Sequence, residues 1–429
     1  MLRPRTLLPI LLGSALGAGG ILQGIHRTSQ GGGASGEDLR AANEEIAMLR
    51  RENESLRSLA QGGGEVSVPR ELITRVEKEL GVTFLSSPVV HRIAAEELRD
   101  RIAAAVESRF GPSGADDRQE SYRLMGVLGP DEELVSQLSA ARSVGTRGWF
   151  DEASGEAWVT DRYRESEIPD QAALLRLLAR ILLHQHFPPP PTYPGDDPAR
   201  AREALHQGGA AGVEARYYSD NARAFGFVPL EENKEAARLF STLSPFIQGL
   251  VMFPITEGKG TADSYYVQGT KELLGLFHDP PQTTRAIVFP AEDHASPPAL
   301  DLPAFPEEPY LSESAGLLGL RLWLETLGDA GVASELSRAW KNDRYALVPD
   351  GEASVALVWD IMLESADDAT GLEKAALSWV AASTGAKELP AAGEVRASEG
   401  KRQFAVHRIA PDRIRIVNAA TREVAEFVR

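Results

Sequence analysis

The chain has 429 residues, of which 43% are hydrophobic, so it can bury the cores of two or three domains and is not disordered as a whole. Its 45 Lys and Arg residues against 62 Asp and Glu residues give a net charge of −17, which disfavours binding to the phosphate backbone of nucleic acids. The absence of cysteine excludes disulfides, thiolate zinc sites, cysteine nucleophiles and lipid-modified cysteines.

Residues 1–25 are typical of a signal peptide or signal-anchor helix. Arg3 and Arg5 precede an uncharged, apolar run over residues 6–25. One proline and five glycines dilute this run, so it is a marginal membrane-spanning helix, and residues 15–17 offer a small-residue cleavage site. Two outcomes stay open: an inner-membrane anchor with the main domain outside the cytoplasm, or cleavage and secretion. Both place the protein in or beyond the cell envelope.

A short heptad repeat follows a flexible linker at residues 26–36. Across residues 37–60 the positions a and d are mainly apolar, and they are Leu39, Ala42, Ile46, Leu49, Asn53, Leu56 and Ala60. Glutamates at position g and arginines at position e have the spacing that pairs parallel neighbours. The pattern predicts a parallel homodimer through residues 39–60, with a solvated amphipathic helix as the alternative. A glycine-rich hinge at residues 61–66 ends this segment.

The body of the chain is predicted to be an α+β domain that is predominantly helical. Apolar residues recur at helical spacing in 71–80, 94–110, 130–141, 171–187, 199–218, 236–253 and 314–328, and Pro245 is expected to kink or divide the segment 236–253. Alternating residues around a Ser-Gly turn predict a β-hairpin over residues 148–159. The proline-rich residues 296–309 are expected to form a long surface connection. We place the main domain at residues 67–385 and a C-terminal β-rich segment at residues 386–429.

Several short sequence blocks between residues 81 and 376 have a recognisable pattern when taken in chain order. They are Gly148-Trp149-Phe150-Asp151, Gln185-His186-Phe187, Pro280 to Thr284 with Phe289-Pro290, Leu317-Leu318-Gly319, Trp340 to Tyr345, and Ser365 to Ala369. Together they resemble the gluzincin-type zinc metallopeptidases secreted by bacteria, in which a hairpin precedes an H-E-x-x-H helix and an A-L-x-E-G helix follows it. The resemblance implies a metallopeptidase-like (zincin) fold with short hairpins and a turn at Trp340 to Tyr345.

The residues that would bind and use zinc in that family are replaced in this chain. With Gln185-His186-Phe187 aligned to the end of the active-site helix, Arg176 and Arg180 occupy the two histidine positions and Leu177 occupies that of the general base. Gln207 occupies the position of the third ligand. Arginine offers a metal no lone pair, and leucine transfers no proton. The resemblance therefore implies a pseudopeptidase for which no metal, cofactor or zinc-dependent catalysis is expected.

Arg176 and Arg180 lie four residues apart and so share one face of the predicted helix. One hypothesis is that they form ion pairs with carboxylates of the following helix, such as Glu203 or Glu214, in place of the metal. The other hypothesis is that they bind an anionic ligand, for instance the C-terminal carboxylate of a peptide.

Three histidines remain as candidates for a different metal site. His184 and His186 lie two residues apart at a helix end, and His206 lies on the next predicted helix. Side chains two residues apart on a helix point away from each other, so this pair is not expected to chelate a metal.

Two functions are compatible with these features. The first is a catalytically inactive binding or scaffold protein of the cell envelope, dimerised by its coiled coil, attached to the membrane by its N-terminal segment and binding a protein or peptide. The alternative is a hydrolase that uses a non-standard site in the former peptidase groove. We favour the first because no nucleophile or acid–base pair can be identified by spacing.

Overall fold

A computed structural model describes residues 64–110, 114–221, 230–292, 296–328, 330–398 and 400–427. The predicted signal segment, linker and coiled coil, residues 1–60, lie outside this part of the chain. The described structure is mixed α/β and about half helical. Within it, no helix has the length and apolar character needed to cross a membrane.

The helices and strands are numbered in chain order. The helices are α1 Arg70–Leu80, α2 Ala95–Ser108, α3 Gly114–Met125, α4 Leu134–Ser143, α5 Ile168–His186, α6 Asp196–Asp220, α7 Leu230–Ser241, α8 Pro245–Phe253, α9 Lys259–Tyr266, α10 Thr270–His278, α11 Thr284–Val288, α12 Gly316–Thr326, α13 Ala330–Arg338, α14 Ala366–Thr384 and α15 Arg422–Phe427. The strands are β1 His91–Ile93, β2 Gly148–Phe150, β3 Ala157–Thr160, β4 Leu311–Glu313, β5 Trp340–Pro349, β6 Val355–Leu363, β7 Arg396–Ala397, β8 Gln403–Ala410 and β9 Arg413–Ala419.

The structure gives the limits of the helices. The expected division of residues 236–253 is confirmed: α7 ends at Ser241 and Pro245 starts α8, where a proline without an N–H is tolerated. A π-helical turn, Pro254–Gly258, then joins α8 to α9. The block from Trp340 to Tyr345 lies in strand β5, where the resemblance implied a turn.

The described residues form two compact units. The first contains residues 64–102, 143–188 and 213–239, and the second contains 103–142, 189–212 and 240–427, each with the gaps given above.

The first unit is built around helix α5 and a three-stranded sheet. Strand β3 lies in the centre of the sheet, parallel to β1 and antiparallel to β2, with Trp149 opposite Trp158. Helix α5 packs on β2 and β3 and on helix α1. The helix starts with a proline in its first turn, and every residue from Ala172 to Leu183 except Arg176 is buried. Burial of this face stabilises the unit by the hydrophobic effect.

The second unit contains a six-stranded antiparallel sheet in the order β4-β5-β6-β9-β8-β7. Because successive side chains of a strand point to opposite faces, the two faces have different residues. On one face Trp359 packs edge-to-face on Trp323 of α12, with ring centroids 5.4 Å apart, and Trp379 of α14 packs on Phe404. The opposite face carries small residues such as Ala346 and Val358.

The face with the small residues is covered by the proline-rich connection and the C-terminal helix. Leu302 and Phe305 of the connection, together with Ala425 of α15, pack against the sheet. Strands β7, β8 and β9 come from residues beyond 386, and β9 pairs with β6. The predicted domain boundary between residues 385 and 386 therefore lies between elements that share one sheet.

A buried ion pair joins two neighbouring strands of this sheet. Asp360 on β6 lies opposite Arg415 on β9, and Arg415 donates from Nε and Nη2 to the two carboxylate oxygens at 2.7 and 2.8 Å. Arg413 donates to the same carboxylate at 2.5 Å, and Asp360 has no exposed surface. The geometry is bidentate, the strongest arrangement of such a pair.

We expect Asp360→Ala to lower the free energy of unfolding by about 3 to 5 kcal/mol, because it leaves the guanidinium of Arg415 buried without its carboxylate. Urea denaturation followed by tryptophan fluorescence measures this change. Glu426→Ala is the control, since the Arg422–Glu426 pair is exposed and contributes about 1 kcal/mol or less. Equal effects of the two substitutions would contradict the role of the buried pair.

Candidate functional site

Arg176 and Arg180 lie on helix α5 in the first unit, at the positions that the resemblance assigns to histidines. Arg176 is partly open, with 33% of its side chain exposed, and Arg180 is buried, with 9% exposed. Both lie within the mainly apolar run of the helix, so their charged ends need polar partners within the unit.

Arg176 pairs with Glu214 of helix α6. Its Nη1 lies 3.4 Å from Glu214 Oε2, and the glutamate side chain is only 6% exposed. Burial raises the pKa of Glu214 to about 7, although the charges of Arg176 and Arg147 act in the opposite direction. The carboxyl group of Glu214 therefore changes between its protonated and ionised forms near neutral pH.

Arg180 pairs with a different carboxylate, on the hairpin between β2 and β3. Its Nη2 lies 3.7 Å from Glu152 Oε2, and its guanidinium lies 5.2 Å from the ring centroid of Phe150. An ion pair and a cation–π contact therefore direct Arg180 toward the hairpin. In this arrangement Arg176 and Arg180 each contact a carboxylate of their own.

Leu177, at the position of the general base, is packed under strand β2. It is 5% exposed, and a Cβ atom at Gly148 would lie 2.8 Å from its Cδ1 and 2.6 Å from the carbonyl oxygen of Trp158. Only glycine allows the strand to come this close. The position is thus a tight apolar contact that has no group able to transfer a proton.

Two further charged residues belong to this site, and sequence reasoning did not identify them. Arg147, directly before β2, donates from Nη1 to Asp170 Oδ1 in the first turn of α5. The other oxygen of Asp170 accepts from the backbone N–H of Arg164 at 2.9 Å. Arg147 immediately precedes the block that begins at Gly148, and this position was the only signal in the sequence that could have drawn attention to it.

Glu203 and Gln207 lie on the part of α6 that belongs to the second unit. Glu203 accepts from Arg109 and Arg142 at 2.6 Å each, and Gln207 Nε2 donates to Glu203 Oε1 at 2.7 Å. The carboxylate of Glu203 thus serves two arginines other than those predicted.

The three histidines contact separate parts of the chain. His184 Nε2 lies 3.1 Å from the carbonyl oxygen of Glu152, and His186 Nε2 lies 2.8 Å from that of Thr83. His206, in the second unit, is buried and stacks edge-to-face on Phe277. Within the described ranges, no three His, Asp or Glu side chains are grouped so as to hold a metal ion.

The donor atoms of the site do not fit a zinc ion. Zinc in catalytic sites takes three protein ligands from neutral imidazoles, thiolates or carboxylates. Arg176 and Arg180 carry permanent positive charges, and Leu177 has no donor atom. We therefore derive no chemical step that involves zinc.

The second unit contains a separate cluster of buried polar residues at the start of α6. Asp196 accepts hydrogen bonds from Arg118 Nε at 2.8 Å, Tyr193 Oη at 2.6 Å and Tyr345 Oη at 3.0 Å. The next residue, Asp197, accepts from the backbone N–H and the hydroxyl of Thr284. Burial raises the pKa of Asp197 to about 7. Because Asp196 and Asp197 are buried and accept these hydrogen bonds, the cluster is a structural anchor for the helix.

Comparison with known proteins adds one partial match. Residues 308–429 match the family model described as "Domain of unknown function (DUF8575)", which corresponds to strand β4 and the chain that follows it in the second unit. No curated protein and no solved structure matches the chain.

We expect Glu214→Gln to change how stability depends on pH. The folded-state pKa of Glu214 is raised, so the wild-type chain binds this proton more tightly when folded and loses stability as pH rises from about 4.5 to about 7. Glutamine has no such proton. The variant should therefore gain, relative to wild type, about 2 to 3 kcal/mol of unfolding free energy between pH 5 and pH 8.

Urea denaturation at the two pH values measures this gain. Asp197 contributes equally to both proteins and cancels in the difference. Glu96→Gln, an exposed glutamate of the same unit, is the control and should leave the pH dependence unchanged. A Glu214→Gln variant with the pH dependence of wild type would show that the carboxyl is ionised throughout this range.

Proposed function

We propose that the protein is a catalytically inactive, metallopeptidase-like module of the cell envelope that binds or scaffolds other molecules. The observation that carries this proposal is the pairing on helix α5. At the two positions where the resembled peptidases have zinc-binding histidines, this chain has arginines that pair with Glu214 and Glu152. Guanidinium–carboxylate contacts are therefore present at the positions where the resemblance implies metal ligands.

The zincin fold is part of the same proposal. The hairpin of β2 and β3, helix α5 and helix α6 follow one another in the order that the family pattern requires. The hairpin packs on α5 through Gly148 and Leu177, so the general-base position is closed by an apolar contact. These features support a peptidase scaffold that has lost its chemistry, although fold alone does not determine function.

The alternative, a hydrolase with a non-standard site, has one observation in its favour. Glu214 has a pKa near 7, which is suited to general acid–base catalysis at neutral pH. The group is only 6% exposed and already contacts Arg176, so it would serve a substrate only after displacing that partner.

Metal content and hydrolysis decide between the two functions. We expect the purified full-length chain to contain less than stoichiometric zinc by elemental mass spectrometry and to leave an unfolded protein substrate uncleaved, with a known zinc peptidase as positive control. One zinc per chain with chelator-sensitive cleavage would refute the proposal. Cleavage that is insensitive to chelators and lost in Glu214→Gln would establish the alternative.

The proposal includes export, membrane attachment and dimerisation, which rest on residues 1–60. We expect the double variant Leu49→Glu, Leu56→Glu to convert a dimer into a monomer, because charges at position d disrupt the seam of a coiled coil. Light scattering of the full-length chain in detergent measures the mass. Ser58→Glu, at the outward position f, is the matched control and should remain dimeric. A wild-type chain that is already monomeric would contradict the dimer.

A further inference from the structure

Arg147 is a buried cation that is only partly satisfied. Its side chain is 8% exposed, and its one hydrogen bond in the described part of the chain runs from Nη1 to Asp170. Nε and Nη2 are buried and have no hydrogen-bond partner there. Together these atoms carry three N–H groups, and leaving such groups unpaired away from water is costly.

The groups around Arg147 form one polar cluster in the first unit. Arg147 acts electrostatically on both Glu214 and Tyr218 of helix α6, and Arg176 contacts Glu214 directly. The cluster is open to solvent on the side of Arg176, a third of whose side chain is exposed. The proposed route of a ligand to Arg147 begins at this partly exposed arginine.

The charges of the cluster select the class of ligand. Arg147 and Arg176 contribute two positive charges, and Asp170 contributes one negative charge. Glu214 is neutral when it holds a proton, which leaves a net charge of +1 with guanidinium N–H groups available. A monoanion balances this charge, and a planar carboxylate matches the parallel N–H groups of a guanidinium.

We propose that Arg147 and Arg176 bind a carboxylate monoanion beside Glu214. The carboxylate belongs either to a small organic acid or to the C-terminus of a peptide. This inference rests on the proposed binding role and deepens it by naming the chemistry of the ligand.

Titration of the full-length chain with sodium acetate, exchanged for sodium chloride at constant ionic strength, tests the site. We expect a saturable rise in the unfolding temperature at pH 6 that is smaller at pH 8, because the bound carboxylate favours protonated Glu214. A rise without saturation, or none, would overturn the inference.

Substitutions then assign the binding to the two arginines. Arg176→Gln should weaken acetate binding by about tenfold or more, since it removes a charge-assisted hydrogen bond at a partly exposed position where the fold is retained. Arg147→Lys, which keeps the charge facing Asp170, should also weaken binding because it loses the planar fork. Arg162→Gln, an exposed arginine of the same unit, is the matched control. Wild-type affinity in both Arg176→Gln and Arg147→Lys would overturn the inference.

Peptides distinguish the two sources of the carboxylate. A tripeptide with a free C-terminus that binds more tightly than acetate, while its C-terminal amide does not bind, would identify a peptide terminus as the ligand. Acetate binding without peptide binding would identify a small acid, and both results support the site. A zinc-containing, hydrolytic chain that still binds acetate through Arg147 would refute the proposed function alone. A metal-free, inactive chain that does not bind acetate would refute this inference alone.

Discussion

Charges that are buried away from water need partners of opposite sign, and this constraint applies in both units of the described structure. In the first unit it pairs Arg176 with Glu214, Arg180 with Glu152 and Arg147 with Asp170. In the second unit it pairs Asp360 with two arginines of β9 and Asp196 with Arg118. A buried pair adds little net stability over apolar packing, but removal of one member leaves an uncompensated charge. The pairs therefore restrict which arrangements of helices and strands the chain can adopt.

The same constraint gives the proposed function its physical basis. A peptidase helix of the resembled type holds a dication with neutral imidazoles, whereas helix α5 presents cations and recruits carboxylates. The exchange replaces neutral ligands with permanent positive charges. Two nitrogens of the buried Arg147 have no hydrogen-bond partner within the described residues. An incompletely paired cation beside a carboxyl group that titrates near pH 7 suits the binding of an anion more than the hydrolysis of a peptide bond.

The sequence predicted those parts of the fold that have a strong local pattern. The hairpin at residues 148–159 and the terminal hairpin of β8 and β9 alternate in polarity, and α5 has a long apolar run that ends in prolines. Strand β6 escaped prediction because it is buried on both faces and reads as a continuous apolar run, which periodicity cannot separate from a buried helix. Helix α3 was missed for the opposite reason, since its polar sequence has little amphipathic pattern. In the site, Arg176, Leu177, Arg180 and Glu214 were identified from the sequence, whereas Arg147, Glu152 and Asp170 were not.

The sequence by itself determined which side chains carry charge, where apolar runs require burial, and that positions 176, 177 and 180 offer a metal no donor atom. These properties belong to single residues and short segments, so they can be read without coordinates. Only the tertiary structure decided the partners: Arg176 meets a glutamate 38 positions away, and Arg147 meets an aspartate 23 positions away. Such contacts depend on how helix α5, helix α6 and the hairpin pack against each other, because a charged side chain pairs with the carboxylate that folding brings within reach.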